Sequence, residues 1–384
     1  MLIEWLISLI NSYRPCDNSP MDGNALVYCE GYFNTPWGKT AHGLVRFTRR
    51  YNIVGVIDSR YAGQDAGQVL DRTPTGIPVS ASLEEAVEIA RAAGTHPTHY
   101  VFGIAPDGGV ITDDMRGALL DAIRTGLNVD CGMHYFISED ELMVSEARSH
   151  GVSLRDVRKT PPRHELHPFT GGIWSVGSLR IAVLGTDSSV GKRTAAWRLV
   201  NALEARGHKT AFIGTGQTAW LQGAQYGVIM DALINDFVAG EIEHAIITAW
   251  KEQQPEIMVI EGQGSLMNPI FPGGFEILSA GQPHAVLLQH APRRRDYDGL
   301  PGTAIHPLKT QIQAIELLSG KPVIGLTINH EGMDSHEIPE VSHHLADENG
   351  LPACDPLVQE MEPIVHAIEK MLKDQPPRSH GSQE

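Results

Sequence analysis

Short apolar runs alternating with stretches of helical spacing dominate the chain from Ala25 onward. Ala25-Leu26-Val27-Tyr28, Ile53–Ile57, His99–Gly103 and Leu127–Asp130 read as strands. Between them Thr40 to Arg50, Ser82 to Ala93 and Met115 to Thr125 carry helical spacing, the second opened by a capping box of Ser82 and Glu85. Pro161, Pro162 and Pro168 interrupt the pattern, which then resumes. The second half predicts strands at Arg180–Leu184, Thr210–Gly214, Ile257–Glu261, His284–Gln289 and Pro322–Ile328, and helices at Lys192–Arg206, Thr310–Leu318 and Pro356–Leu372. The helix from Lys192 gathers Ala195, Leu199, Val200 and Leu203 on one face, and Gly207 ends it. Such alternation predicts an α/β protein of two parallel-sheet units. Their expected limits are 25–158 and 173–373, with a linker at 159–172, an extension at 1–24 and a disordered polar tail at 374–384.

Composition narrows the partners. A chain of 384 residues is long enough for two full cores, and 42% hydrophobic with 20% charged residues is ordinary for a globular enzyme. A net charge of −16 argues against nucleic acid and anionic membrane as partners, so an anionic ligand must be held by local charge. Cys16, Cys29, Cys131 and Cys354 show no metal or redox spacing, which points to the cytoplasm. His164 and His167 have the spacing of a ligand pair but lie in the proline-bearing stretch without further ligands; no metal site is expected. Met1 to Ile10 is apolar, yet it contains Glu4, lacks a basic flank and is too short to span a membrane, and Met21 is an alternative start.

The candidate chemistry centres on Gly185-Thr186-Asp187-Ser188-Ser189-Val190-Gly191-Lys192-Arg193-Thr194, which follows an apolar strand and opens a helix. That layout is a phosphate-binding loop, in which backbone N–H groups, a helix N-terminus and a lysine attract an anion. Two details depart from the usual pattern. Five residues separate Gly185 from Gly191, and Arg193 occupies the position where a P-loop NTPase keeps its Mg²⁺-binding hydroxyl. Glu261 ends a neighbouring strand and is followed by Gly262-Gln263-Gly264, a place from which a carboxylate faces the phosphates. Thr215 and Gln217 lie on the same rim and suit a polar substrate, as does Gln263. Arg293-Arg294-Arg295 is the expected grip for an anionic group, and Asn329 could read a purine edge. Gly38-Lys39-Thr40 imitates a P-loop ending, but Phe33 replaces the glycine and Trp37 crowds the loop; it reads as a tight strand-to-helix connection. Asp58 ends a strand as a ribose-binding carboxylate would, without the glycine fingerprint of a nicotinamide site.

Two resemblances add to this reading. Gly185-Thr186-Asp187, Val190-Gly191-Lys192, Glu261-Gly262 and Asn329 resemble dethiobiotin synthetase, which implies ATP on the loop, Mg²⁺ on the acid and adenine on the asparagine; Arg193 departs from it. A wider resemblance runs from about Ala25 to Leu372. It is carried by Thr35-Pro36, Gly38 to Leu44, Val56-Ile57-Asp58-Ser59, Gly185 to Thr194 with its Gly-Lys-Arg-Thr, Glu261 to Ser265, and His306-Pro307. It is to a family with an N-terminal Rossmann-like domain and a C-terminal P-loop NTPase-like domain that includes the DgcN-type D-glutamate N-acetyltransferases. The resemblance implies a homo-oligomeric acyltransferase moving acetyl from acetyl-CoA to D-glutamate. On this view the P-loop holds CoA, Glu261 is the general base, and Thr215, Gln217, Gln263 and the three arginines meet the acidic amino acid. The alternatives are an ATP/Mg-dependent ligase or kinase and a nucleotide-binding switch without turnover.

Overall fold

The computed structural model describes residues 21–374, so the apolar Met1–Ile10 run and the polar tail from 375 lie outside the described residues. Six parallel strands form the first sheet: β1 (Gly23–Tyr28), β2 (Tyr51–Ile57), β3 (Val79–Ser80), β4 (His99–Phe102), β5 (Asn128–Cys131) and β6 (Leu154–Asp156), in the order β3-β2-β1-β4-β5-β6. This is the doubly wound Rossmann-like order. Its crossovers are α1 (Lys39–Arg46), α2 (Ala66–Asp71), α3 (Leu83–Ala92), α4 (Asp113–Arg124) and α5 (Glu141–His150). Asp58, at the end of β2, is not open to a ribose. It accepts from Phe33 N at 2.8 Å and from Arg60 Nε and Nη2 at 3.0 and 2.7 Å.

The second sheet has seven parallel strands, β7 (Leu179–Gly185), β8 (Thr210–Gly214), β9 (Tyr226–Gly227), β10 (Ile257–Glu261), β11 (Ala285–His290), β12 (Val323–Ile328) and β13 (Ala353–Cys354), in the order β13-β12-β11-β7-β10-β8-β9. Strands β7 and β10 are buried at every position, which explains their unbroken apolar runs. Helices α6 (Lys192–Ala205), α7 (Gln217–Leu221), α8 (Asn235–Gln253), α9 (Phe275–Ala280), α10 (Leu308–Ser319), α11 (Ile338–Asn349) and α12 (Glu362–Asp374) cover it. One core cluster lies on each face: Leu199, Val200 and Ile364 belong to one, Ile242, Ile246 and Ile312 to the other.

The two-residue strands β3, β9 and β13 are too short to leave a periodic signal. Two predicted helices are shorter than their apolar pattern. The last begins at Glu362 because Gln359 turns back to accept from Asp355 N at 2.8 Å. The first stops at Arg46, and Phe47 turns extended with φ −169°. The residues that leave it build the joint between domains: Phe47 packs on Trp197 with ring centroids 5.0 Å apart, and the Arg50 guanidinium lies 3.7 Å from the Trp220 ring centroid. Gln222 Nε2 donates to the carbonyls of Gly43 and Phe47 at 2.8 and 2.7 Å. Leu221, from the second domain's chain, is buried within the first domain's core.

The linker is pinned to α8 by two carboxylates. Glu241 accepts from His167 N and Nδ1, and Glu243 accepts from Thr170 N, Thr170 Oγ1 and Ile173 N. The His167 ring stacks on His244 at 3.6 Å, so it serves packing. Among the described residues no group of three His, Cys, Asp or Glu could hold a metal ion, and no helix is long and apolar enough to cross a membrane.

Two glycines inside helices test this packing. Helix propensity alone predicts that Gly→Ala stabilises either by about 0.5–1 kcal/mol. Gly117 in α4 has open space around a new Cβ, so Gly117→Ala is expected to stabilise by that amount. A Cβ on Gly240 in α8 would collide with the His167 carbonyl, so Gly240→Ala is expected to destabilise by about 2 kcal/mol. Urea unfolding of the two variants beside wild type checks the opposite signs.

Candidate functional site

The carboxyl end of the second sheet opens on a cleft of about 510 Å³ between the domains. Each strand of the second sheet contributes to it at or just past that end, for instance Gly191, Gly216, Asp231, Gly262, Asn329 and Asp355. The first domain supplies the opposite wall from α1 and α2, and Arg158 from just beyond β6. This is where ligands bind on parallel sheets.

The phosphate loop is held from behind. Asp187 is fully buried and accepts from Ser188 N and Asn268 Nδ2 at 2.7 Å each, Asp298 N at 2.8 Å and Arg294 Nη1 at 3.0 Å. Val190 O accepts from Gln289 Nε2 and Asn329 Nδ2 at 3.0 Å each. Thr186 Oγ1 bonds His290 Nδ1 at 2.9 Å, and Gly185, whose added Cβ would lie 2.9 Å from Lys192, lets the lysine fold over the strand end. Gly185, Thr186 and Asp187 therefore shape the loop, while Ser188, Ser189, Val190, Gly191, Lys192, Arg193 and Thr194 line the cleft. Gly191 reverses the chain with φ 104°, and no side chain caps α6. The first-turn N–H groups of α6 thus face the cleft without intrahelical partners. Lys192 Nζ donates to Asp187 O at 2.8 Å, and burial pulls its ammonium down to about 8 against the opposing attraction of Asp187 and Glu261.

Arg193 runs across the domain joint. Its Nη2 donates to Lys39 O at 3.2 Å, its buried Nε has no protein partner, and Gly43 leaves room for it, since a Cβ there would stand 3.0 Å from Nη2. Beside it, Glu261 is 5% exposed and accepts from Thr215 N at 2.8 Å. Burial pushes its carboxyl up, while Arg193, Thr215 and Lys192 restrain the rise. Gln217 Nε2 donates to Thr40 Oγ1 and Thr218 Oγ1 at 2.7 and 2.9 Å, and Gln263 Nε2 to Thr215 O at 3.0 Å. Mg²⁺ held in the manner of a P-loop NTPase does not fit this donor set. A guanidinium replaces the hydroxyl, and Glu261, the acid at the end of the neighbouring strand, is attracted to that guanidinium and accepts from Thr215 N.

Placement corrects two expectations. The three arginines form no common anion grip. Arg293 is exposed and pairs with Glu337, Arg295 is exposed, and Arg294 is tied to Asp187, Ser188 O and Glu331. None of them lines the cleft. Asn329 lines it but spends its amide on Val190 O and on Glu331 N, which leaves it supporting the loop. Gly38-Lys39-Thr40 does form a strand-to-helix connection, yet it stands in the cleft wall with Lys39, His42 and Arg46 facing the phosphate loop. Arg46 is bound to Asp71 at 2.6 Å, Arg158 to Asp231 at 2.8 Å and His330 to Asp355 at 2.6 Å. No motif marked these residues. The docking of two sheets brings them together.

Residues 167–365 match the family model described as the P-loop domain of DUF1611, and residues 59–160 the one described as its N-terminal Rossmann-like domain. The chain is 32% identical over 279 residues to a protein of Tritonibacter scottomollicae named D-glutamate N-acetyltransferase, covering 71% of this chain and 81% of that one. A Pseudoalteromonas protein of the same name is 29% identical over 301 residues, covering 76% and 86%. The crystal structure of a DUF1611 family protein from Anabaena variabilis superposes with a TM-score of 0.81 at 28% identity, over 90% of this chain and 99% of that one.

Lys192 gives the loop a defined pH response. Because burial lowers its pKa to about 8, the cation that attracts an anion is complete below that pH and is lost as pH rises through it. Calorimetric affinity for ADP, whose terminal phosphate is largely ionised above about pH 7.3, is expected to be nearly level from about pH 7.3 to 7.7 and to fall by up to about tenfold per unit above about 8.5. Lys192→Met should bind weakly and show no such slope. A wild-type affinity unchanged at pH 9 would remove the lysine from the anion site.

Proposed function

The chain belongs to the DUF1611 family, and on that premise we propose that it is an N-acetyltransferase moving acetyl from acetyl-CoA to D-glutamate. The observation that carries this reading is the phosphate loop. It offers N–H donors and Lys192 to a diphosphate, but it places the Arg193 guanidinium where metal-assisted γ-phosphate transfer needs a hydroxyl. An ATP–Mg²⁺-dependent ligase or kinase is disfavoured for the same reason.

In the proposed reaction the acceptor's free amine adds to the thioester carbonyl, the C–N bond forms and the C–S bond breaks. Of the two protons lost by the ammonium, one ends on the CoA thiol and one leaves to solvent. Lys192 and the first turn of α6 hold the diphosphate, and the apolar Ile328, Pro356 and Leu357 wall suits the adenine. That arrangement revises the role of Glu261. The arm between diphosphate and sulfur has about four residues' worth of backbone atoms, roughly 13 Å when extended. Glu261 lies against Lys192: a Cβ on the adjacent Gly262 would stand 3.1 Å from the lysine Cδ. We therefore assign Glu261 to the phosphate end, where it balances Lys192 and Arg193 and positions Thr215.

Two measurements test these assignments. Incubation with acetyl-CoA and D- or L-glutamate, followed by mass spectrometry, is expected to yield N-acetylglutamate from the D enantiomer without added Mg²⁺; no product from either enantiomer defeats the function. Glu261→Gln keeps the shape and the bond from Thr215 N but removes a charge beside the anion site. At pH 7 it should change CoA affinity by about threefold or more while kcat at saturating acetyl-CoA stays within about threefold of wild type. Unaltered CoA affinity with a hundredfold loss of kcat would restore the general-base role.

A further inference from the structure

The second sheet works as a ruler across the cleft. The phosphate loop follows β7, the middle strand of the order β13-β12-β11-β7-β10-β8-β9. Neighbouring strands are about 4.8 Å apart, so the β8–β9 end lies roughly 10–14 Å from the loop, the reach of an extended CoA arm. The cleft's two ends also differ chemically. Towards β12 and β13 apolar Ile328, Pro356 and Leu357 stand beside the paired His330 and Asp355, whereas towards β8 and β9 it carries Gln217, Arg158 and Asp231 with no apolar wall.

Arg158 is the cation at that polar end. It comes from the segment just past β6, and only 12% of its side chain is exposed. Asp231, held near β8 because Met230 N donates to Thr215 O at 3.1 Å, receives Arg158 Nη2 at 2.8 Å and Nε at 3.2 Å. These bonds fix the guanidinium plane and leave Nη1 with no protein acceptor among the described residues. A guanidinium oriented on one edge and unpaired on the other is suited to a planar carboxylate. The other cleft arginine outside the phosphate loop, Arg46, stands at the opposite end, close to Asp71, His330 and Asp355.

Building on the acetyltransferase reading, we propose that Arg158, oriented by Asp231, binds a carboxylate of the acidic acceptor at the β8–β9 end of the cleft, and so selects acidic over neutral amino acids. Gln217 and Gln263 also line the cleft.

Calorimetry on the full chain saturated with CoA, with D-glutamate, L-glutamate and D-glutamine as titrants, tests the proposal. Wild type should bind a glutamate at least tenfold more tightly than glutamine. Arg158→Gln should lose tenfold or more in glutamate affinity with CoA affinity unchanged, and Arg158→Lys should recover part of it. Asp231→Asn, which keeps the size of the partner but loosens the guanidinium, should weaken glutamate less than Arg158→Gln. Glutamate affinity equal in Arg158→Gln and wild type, or no glutamate binding by wild type, overturns the assignment. Acetyl transfer assayed on the same proteins with acetyl-CoA in place of CoA reports separately on the reaction: glutamate bound through Arg158 without product defeats the enzyme reading and leaves the carboxylate site standing.

Discussion

A buried carboxylate underlies the cleft. Asp187 draws together its own loop, Asn268 from beyond β10, and Arg294 and Asp298 from beyond β11. A charge removed from water this completely is tolerable only when its lone pairs are filled, and loss of a partner in such a cluster costs on the order of 3–5 kcal/mol. Its backbone carbonyl also receives Lys192, so the residue that orders the loop parks the loop's cation. The loop's shape is therefore settled by neighbours that never face the ligand.

The cleft owes its character to the carboxyl end of the second sheet and to the first domain's helices docked over it. Backbone N–H groups at such ends favour anions, and the first domain adds Lys39, Arg46 and Arg158 on the far wall. These cations matter in a chain whose formal net charge is −16, because the global field opposes an anionic ligand. Carboxylates paired with Arg46, Arg158 and His330 keep the cations in place and limit their charge.

Much of this was legible in the sequence, and the remainder was hidden for identifiable reasons. The central strands announced themselves because β7 and β10 are apolar on both faces, and Gly191-Lys192 marked the loop because its chemistry is local. Arg293, Arg294 and Arg295 misled because adjacency in sequence says nothing about direction, and two of the three emerge at the surface. Glu261 was found for its position at a strand end; that it lies against Lys192 depends on where the lysine folds. Arg158 carried no signal, since it belongs to the cleft only through the docking of one domain on the other. Phe47 ended a helix that its own pattern would have prolonged, because Trp197 takes its ring.

Arg193 links two structural levels that are usually separate. Its guanidinium is attracted by Glu261 of its own domain and is bonded to the backbone of the opposite domain at Lys39 O. Arg193 Nε, Gln217 Oε1 and Gln222 Oε1, near this joint, belong to the buried polar atoms without protein partners among the described residues. Thermodynamic reciprocity then applies: whatever an anion does to Arg193 is felt as a change in how firmly the halves adhere, and the adhesion of the halves enters the anion's affinity by the same amount.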